Sequence, residues 1–158
     1  MAILTGSRHC AQPQLDRWPT AKLEECFQPP SSQRAPRISD ELTEKVIGAA
    51  IEVHRFLGPG LLESIYEDAL CFEMEMRQVP HQRQVCVDVI YKEHRIKGQK
   101  IDILVANEVV VELKAVTRLP DIATAQTLSY LRSTGLKRAL LLNFGEKRLV
   151  DGLKRLSL

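Results

Sequence analysis

Long hydrophobic runs are missing from this chain of 158 residues. No stretch approaches the ~18 uninterrupted apolar residues of a membrane-spanning helix. The opening residues, MAILTGSRHCAQPQL, contain no apolar run of the length that a secretion signal needs. With 44% hydrophobic and 27% charged residues, the composition is typical of a soluble domain and unlike that of disordered or collagen-like chains. We therefore expect a cytoplasmic protein with no membrane segment.

Cysteine and histidine are too few and too scattered to indicate a zinc site. The four cysteines form no CxxC pair and the four histidines no HxxxH pair, so no segment supplies clustered nitrogen or sulfur ligands. A disulfide framework is also disfavoured in a chain of this length without a secretion signal. We expect free thiols at Cys10, Cys26, Cys71 and Cys86.

Charge is distributed unevenly, although the formal net charge is only +2. Counted from the sequence, residues 1–37 carry +2, residues 38–91 carry −6 and residues 92–158 carry +6. Such polarity would allow a cationic face to bind a polyanion while the average charge stays near zero. From charge alone, ordinary solvated surfaces are the favoured explanation.

Residues 1–37 differ in composition from the rest of the chain. They contain five of the eight prolines and no sustained apolar periodicity. Such a segment cannot bury enough apolar surface to offset the entropy of ordering. We expect a disordered N-terminal tail over 1–37, followed by one folded domain over 38–158.

Two helices are predicted at the start of this domain. Apolar residues recur at helical spacing over 42–57, and the Gly-Pro-Gly at 58–60 ends that helix. A second helix is predicted over 61–78 and ends before Pro80. Because the connection is so short, the two helices must pack as a pair or cross steeply.

The rest of the domain alternates between strand and helix patterns. β-Branched residues at every second position predict a strand over 85–90, and the apolar run over 138–144 is typical of a buried strand. In chain order we predict strands over 85–90, 100–106 and 109–113, a helix over 121–133, a strand over 138–144 and a helix over 149–156. The order ααβββαβα predicts an α/β fold with a central mixed four-stranded sheet flanked by helices.

Three ionisable side chains interrupt two neighbouring apolar strands. Asp102 lies within one strand, and Glu112 with Lys114 lies at the end of the next. Residues two apart on a strand share a face, and a turn between the strands places Asp102 opposite Glu112. Two carboxylates beside one ammonium suit a hard divalent cation, above all Mg²⁺, with Mn²⁺ as a substitute. An ion pair at the sheet edge is the alternative, although buried charges without compensation are costly.

These residues resemble the signature of the PD-(D/E)xK nuclease superfamily. Asp102 is followed, after a spacer of nine residues, by Glu112-Leu113-Lys114, with Ile101 in place of the proline. The segment GLLESIY at 60–66 is similar to the GxxExxY motif that names a bacterial family of this superfamily. The segment QTLSY at 126–130 resembles the QxxxY motif of RecB-like nucleases. The resemblance, which includes the opening helix ELTEKVIGAAIEVHRFLGPG, covers about residues 40–156 and implies a restriction-endonuclease-like core.

The resemblance implies a catalytic set of four residues. Asp102 and Glu112 would hold one or two Mg²⁺ ions, and Glu63 would complete the metal shell directly or through water. The metal would acidify a bound water and neutralise charge on the scissile phosphate. Lys114 would orient that water or stabilise the transition state. For Glu63 the alternative is a favourable carboxylate at a helix N-terminus.

Three further residues are implied to support the site or to bind nucleic acid. Tyr66 would order Glu63 or contact DNA, with core packing as the alternative. Gln126 and Tyr130 are one helical turn apart and share a face. They would position the nucleic-acid backbone or support Lys114, and routine packing of Tyr130 with a solvated Gln126 is the alternative.

The resulting hypothesis is a metal-dependent nuclease that hydrolyses phosphodiester bonds, with DNA as the expected partner. Aromatic residues make up only 5% of the chain, so extensive base stacking is not indicated. A non-catalytic nucleic-acid-binding or protein-interaction module with the same fold is the alternative, and oligomers or partner proteins stay open. The intact catalytic signature favours the enzyme. Candidate phosphate contacts are Lys100, Arg118, Arg132, Lys137 and Arg138.

Overall fold

A computed structural model describes residues 38–158, with side chains from Glu41 onward. The predicted tail over 1–37 lies outside the described residues, so the tail and the domain boundary stay predictions. No helix in the described part of the chain is long and apolar enough to cross a membrane. The cytoplasmic location also stays a prediction.

The described residues form three helices, five strands and one short 3-10 turn. In chain order they are α1 (Ile38–Leu57), α2 (Glu63–Met76), β1 (His81–Tyr91), β2 (His94–Val105), β3 (Val109–Lys114), α3 (Asp121–Thr134), β4 (Arg138–Asn143), the 3-10 turn (Leu149–Gly152) and β5 (Leu153–Ser157).

Helix α1 buries the stripe of residues that its periodicity predicts. Val46, Ala49 and Val53 recur at helical spacing and are almost completely buried. The helix ends where Gly58 takes a φ of 68°, a left-handed conformation that glycine adopts without the steric cost of a side chain. Gly60 has a φ of 106° and completes the turn into α2. Both predicted N-terminal helices are confirmed.

The sheet has the strand order β1-β2-β3-β4-β5. Strands β1, β2 and β3 are antiparallel neighbours, β3 and β4 are parallel, and β5 is antiparallel to β4. A parallel pair needs a crossover connection, which α3 supplies between β3 and β4. The mixed sheet flanked by helices is therefore confirmed.

Two apolar clusters cover the two faces of the sheet. One contains the buried residues of α1 and α2 together with Val109, Val111 and Leu113 of β3. The other contains Tyr130 of α3 together with Val110. Because successive side chains of a strand point to opposite faces, the even-numbered residues of β3 lie on the α3 face.

The final helix predicted over 149–156 is wrong, and the sheet has five strands instead of four. Leu149–Gly152 forms the 3-10 turn, and Leu153–Ser157 is a strand. The reason is the hydrogen bonding of β4, which is buried from its second residue onward and needs a partner strand on each side. β3 supplies one side and β5 the other. Local apolar spacing cannot reveal that requirement.

Candidate functional site

The β2–β3 hairpin brings the predicted carboxylates to one end of the sheet. The paired residues Val105↔Val109, Leu104↔Val110 and Ile103↔Val111 define its register. The next position outward has Asp102 and Glu112, as the sequence predicted. The regular backbone pairing of β2 with β3 stops before this position, and the Leu113 N–H donates to the side-chain Oδ2 of Asp102 at 2.9 Å. The Asp102 carboxylate thus binds the backbone of the strand that carries Glu112.

Lys114 is the centre of the charge cluster. Its Nζ donates to Oε1 of Glu112 at 2.6 Å and to the carbonyl oxygen of Leu113 at 3.0 Å. The same Nζ lies 3.8 Å from Oε1 of Glu63. We call Glu63, Asp102, Glu112 and Lys114 the candidate site. The predicted common face of Glu112 and Lys114 is confirmed by their direct contact.

Burial makes Glu112 the most perturbed carboxyl group of the candidate site. Its side chain is only 2% exposed. Loss of hydration raises its pKa from 4.5 to about 7; the charge of Asp102 also raises it, whereas the hydrogen bond from Lys114 lowers it. Oε2 of Glu112 is buried and has no hydrogen-bond partner among the described residues. A buried acceptor without a partner is costly, so this oxygen is suited to a bound ligand.

The other charged groups of the candidate site are perturbed in the same environment. Burial raises the pKa of Asp102, although the hydrogen bond from the Leu113 backbone opposes the shift. Burial also raises the pKa of Glu63, against the charge of Lys114. Burial lowers the pKa of Lys114, but the hydrogen bond to Glu112 and the surrounding carboxylates outweigh burial, so its pKa is raised overall. Lys114 therefore keeps its proton.

Glu63 reaches the candidate site from α2, on the opposite side of the sheet from α3. It is the first residue of α2, where a carboxylate interacts favourably with the helix dipole. Its side chain is 45% exposed, so it borders solvent while Glu112 does not. The helix end and the ion pair with Lys114 both favour this position.

Tyr66 fixes the turn that precedes Glu63. Its ring is completely buried and stacks on Phe144 at 4.5 Å between centroids. Its hydroxyl donates to the Gly58 carbonyl at 2.6 Å and accepts from the Leu61 N–H at 3.1 Å. The side chain has no surface left for a DNA contact, so of the two predicted roles only the supporting one is compatible with this structure.

Gln126 and Tyr130 form a pair on α3. Nε2 of the exposed Gln126 donates to the Tyr130 hydroxyl at 2.6 Å. Tyr130 is 3% exposed and belongs to the apolar cluster under α3. Burial raises its pKa, and the charge of Glu112 raises it further. The Tyr130 hydroxyl is therefore close enough to the candidate site for the charge of Glu112 to act on it, while Gln126 is the exposed, polar member of the pair.

Two predicted phosphate contacts lie at the far end of the sheet. Arg138 pairs with Val109, the first residue of β3, whereas Lys114 is its last residue. Arg138 donates to Oε2 of Glu108 at 2.9 Å, and Lys137 precedes it in the chain. A phosphate bound at the candidate site would not reach these two residues, so their role as contacts to other phosphates of a nucleic acid stays a prediction.

Sequence reasoning missed Glu67, which anchors β1 opposite Asp102. Glu67 is buried, and its two carboxylate oxygens accept from Arg83 at 3.1 Å and from Gln84 at 2.7 Å. Gln84 has a φ of 52°, rare for a residue with a side chain, and it falls at the position of β1 that faces Asp102. Glu67 follows Glu63 by one helical turn, and that spacing was an available signal.

Sequence reasoning also missed Asn143, which holds the segment after Lys114. Its Oδ1 accepts from the N–H groups of Val116 and Gly145 at 3.0 and 3.1 Å, and its Nδ2 donates to the Val116 carbonyl at 2.7 Å. Gly145 lies so close to Val116 that an added Cβ would clash with the Val116 carbonyl group. A lone asparagine at the end of the apolar run RALLLN was the available signal.

The geometry can now be compared with known proteins. A family model described as PD-(D/E)XK nuclease superfamily matches residues 40–156, most of the chain. The chain belongs to the PD-(D/E)XK nuclease superfamily. No curated protein and no solved structure matches it. The mixed five-stranded sheet with three helices is consistent with the restriction-endonuclease-like fold, and membership of this superfamily indicates a nuclease-type function.

PD-(D/E)XK nucleases typically use divalent metals, and the candidate site can be tested for its fit to one. Among residues 41–158, no group of three or more Asp, Glu, His or Cys side chains is arranged to hold a metal. Mg²⁺, however, is usually held by one or two carboxylates, with water and substrate phosphates completing its shell. The partnerless Oε2 of Glu112, beside Asp102, meets that requirement. The candidate site therefore fits a cation held by two carboxylates, not a closed protein cage.

Proposed function

We propose that this chain is a metal-dependent nuclease of the GxxExxY family that hydrolyses phosphodiester bonds in DNA. The observation that carries the proposal is the buried Oε2 of Glu112, which has no hydrogen-bond partner among the described residues although Oε1 of the same carboxylate accepts from Lys114. A merely structural ion pair would satisfy this oxygen or leave it in solvent, because a buried charged acceptor without a partner lowers stability. The superfamily membership supports the same function.

Asp102 and Glu112 would hold the cation, and Glu63 would complete its shell through water; Mg²⁺ is the expected identity and Mn²⁺ a substitute. When bound, such a cation acidifies water and neutralises charge on the scissile phosphate. Burial raises the pKa of all three carboxyl groups, and the charge of Asp102 raises the pKa of Glu63 and of Glu112 further. Their close approach is therefore best explained by a ligand of opposite charge.

Lys114 acts as a fixed positive charge. Its raised pKa keeps the ammonium protonated, so it donates hydrogen bonds and does not serve as a general base. Its contact with Glu112 holds Nζ at the end of β3, where the candidate site opens to solvent. From there the ammonium can donate to the attacking water or to a phosphate oxygen, which stabilises the charge that develops in the transition state.

The Gln126–Tyr130 pair orients the substrate. The Tyr130 hydroxyl holds the exposed Gln126 amide, whose remaining hydrogen-bonding groups face solvent. An amide fixed in this way can bind a backbone phosphate or sugar oxygen. Its contribution is to positioning, because neither side chain supplies a proton acceptor near the carboxylates.

The test is a cleavage assay on the full chain. Plasmid DNA, linear duplex, single strands and RNA are incubated with Mg²⁺ or Mn²⁺, and EDTA serves as the metal-free control. We expect cleavage of DNA that EDTA stops and that Lys114→Ala reduces at least about 100-fold. Lys45→Ala, at an exposed lysine of α1 that pairs with Glu41, is the matched control and should retain activity.

Metal binding gives an independent measure. Isothermal titration with Mn²⁺ should detect binding to the wild-type chain, and Asp102→Asn or Glu112→Gln should weaken it at least tenfold. If neither cleavage nor metal affinity appears with any substrate, the proposal is refuted and a non-catalytic nucleic-acid-binding module takes its place. A cytoplasmic location is part of the proposal, since DNA is the expected substrate.

A further inference from the structure

Strands β1 and β2 extend well beyond the sheet on the side of the candidate site. β2 pairs with β3 only through Ile103–Val105, whereas its pairing with β1 continues to Tyr91↔His94. Asp102 marks the point where β3 ends its pairing with β2. The β1 and β2 residues of 85–101 thus form a two-stranded ribbon that starts at the candidate site and extends away from it.

The base of this ribbon is braced against α3. The Gln99 side chain donates to the Ser129 hydroxyl at 3.0 Å and accepts from the Ser133 hydroxyl at 3.4 Å. Val87 and Ile101 are buried in the cluster under α3. The ribbon therefore leaves the domain in a defined direction, from the same helix that carries Gln126 and Tyr130.

The ribbon tip, residues 88–97, combines exposed apolar groups with positive charge. Tyr91 and Ile90 are each 62% exposed, and Ile96 is 45% exposed. The Lys92 ammonium lies 5.6 Å from the centre of the Tyr91 ring. Lys92, Arg95 and Lys97 are all exposed. Large apolar side chains beside cations, on a projecting element, are typical of a binding surface.

We infer that the ribbon tip is an arm that binds the major groove of the same duplex DNA whose phosphate binds at the candidate site. The inference rests on the proposed function and adds the substrate class, double-stranded B-form DNA. The major groove of B-DNA, ~12 Å wide, admits a two-stranded β-ribbon. Exposed lysines and arginine complement the phosphates on its rims, and Tyr91 with Ile96 offers apolar contact to base edges inside it.

The length of the ribbon matches this placement. His94 is eight residues from Asp102 on β2, and a strand rises ~3.3 Å per residue, so the tip lies up to about 26 Å from the candidate site. Base pairs are ~3.4 Å apart along each strand of the duplex, so the arm spans about 8 base pairs. A bulge in β2, where Lys97 and Gly98 oppose the single residue Asp88 of β1, increases the twist of the ribbon.

Two other partners fit the tip less well. A-form RNA has a deep, narrow major groove that excludes a ribbon of this width. A second copy of this chain would have to bring together two tips of the same net charge, since residues 88–97 carry three basic groups against two acidic ones, with Arg95 paired to Asp88. The charge therefore favours a polyanion with a wide groove.

The test compares two triple variants that change charge and aromatic content equally. The tip variant carries Tyr91→Ser, Lys92→Gln and Lys97→Gln. The control variant carries Phe72→Ser, Lys45→Gln and Lys154→Gln, all exposed residues outside the ribbon. Both are made in the full-length Lys114→Ala chain, so that binding is measured in Mg²⁺ without cleavage. Thermal unfolding checks that both variants are folded.

Fluorescence anisotropy then measures binding to a labelled 30-base-pair DNA duplex, to its single strand and to the matching RNA duplex. We expect the tip variant to bind the DNA duplex about tenfold more weakly, with a salt slope lower by about 2 because two lysine contacts are lost. The control variant should change duplex affinity less than twofold. Single-strand and RNA-duplex affinities should be similar in all chains.

Several outcomes overturn the inference. Equal losses in the tip and control variants would mean that only net charge matters. An equal loss of RNA-duplex binding would exclude major-groove recognition. A parent chain that is dimeric, with a monomeric tip variant and unchanged duplex affinity, would make the tip a self-association surface.

Hydrolysis of a small phosphodiester tests the proposed nuclease function separately from the ribbon tip. Bis(p-nitrophenyl) phosphate is too small to bridge the candidate site and the ribbon tip. If the chain with Lys114 intact hydrolyses neither this compound nor any nucleic acid, the nuclease proposal fails. The DNA affinities of the tip and control variants then still show whether the ribbon tip binds duplex DNA. If the compound is hydrolysed and the tip variant binds duplex normally, the arm alone fails.

Discussion

Replacing Glu112 by glutamine should make the metal-free protein more stable at pH 8 and have a much smaller effect at pH 5. Glutamine keeps the shape and an oxygen that accepts from Lys114, but it cannot ionise. The folded protein raises the pKa of Glu112 from 4.5 to about 7, so the stability that the protonated carboxyl supports is present below 4.5 and is lost as the pH rises through 7. The variant retains that stability at all pH values.

The expected change in unfolding free energy follows from the shift in the pKa of Glu112. A tenfold change in proton affinity corresponds to about 1.4 kcal/mol, so a pKa moved from 4.5 to about 7 costs the ionised protein about 3 kcal/mol. Between pH 5 and pH 8, the difference in unfolding free energy between Glu112→Gln and wild type should therefore grow by about 2–3 kcal/mol in favour of the variant. Titrating groups that do not interact with Glu112 are common to both chains and cancel in this difference.

Urea unfolding in EDTA, at pH 5 and pH 8, measures this difference. Glu41→Gln is the matched control, since Glu41 pairs with Lys45 on the exposed surface of α1 and its loss should change stability by less than about 1 kcal/mol. Adding Mg²⁺ at pH 8 should stabilise wild type more than Glu112→Gln, because the cation binds the charged carboxylate. A difference that does not vary with pH would refute the argument that Glu112 is a buried, strained acid.

Three further substitutions test the residues around the candidate site. Tyr66→Phe removes the hydroxyl that bridges the α1–α2 turn, and we expect a loss of about 1–3 kcal/mol in urea unfolding. Asn143→Ala leaves the Val116 backbone without its hydrogen bonds; we expect a similar loss and slower DNA cleavage, whereas unchanged cleavage would mean that the segment after Lys114 needs no anchor. Glu67→Gln should lower cleavage more than Asp68→Asn, because both pair with Arg83 but only Glu67 is buried; equal rates for the two variants would contradict an anchoring role.

Much of the fold could be predicted because its signals are local. Apolar residues at helical spacing predicted α1 and α2, and period-two alternation together with apolar runs predicted β1 to β4. Strand β5 could not be predicted in this way. Its residues, LKRLS, have no distinctive pattern, and they become a strand because β4 presents a buried edge that must be hydrogen-bonded.

The candidate site was predictable in its residues and only in part in its arrangement. The spacing of Asp102 and Glu112 across a tight hairpin fixes their proximity, since the register of neighbouring strands follows from the turn. The approach of Glu63 from the other side of the sheet could not be derived from spacing, because the packing of α2 decides it. Glu67 and Asn143 were missed because their partners lie far away in the sequence.

The amino-acid sequence by itself determined which helices and inner strands form, and it supplied the two acids and the lysine at the end of one hairpin. Those features follow from short-range sterics and side-chain alternation, which operate over a few residues. Tertiary structure alone decided that Glu112 is buried with one oxygen free, that Glu63 faces Lys114, and that β1 and β2 extend past the sheet. These outcomes depend on how distant elements exclude water from one another, and burial of that kind shifts proton affinities and directs a projecting ribbon.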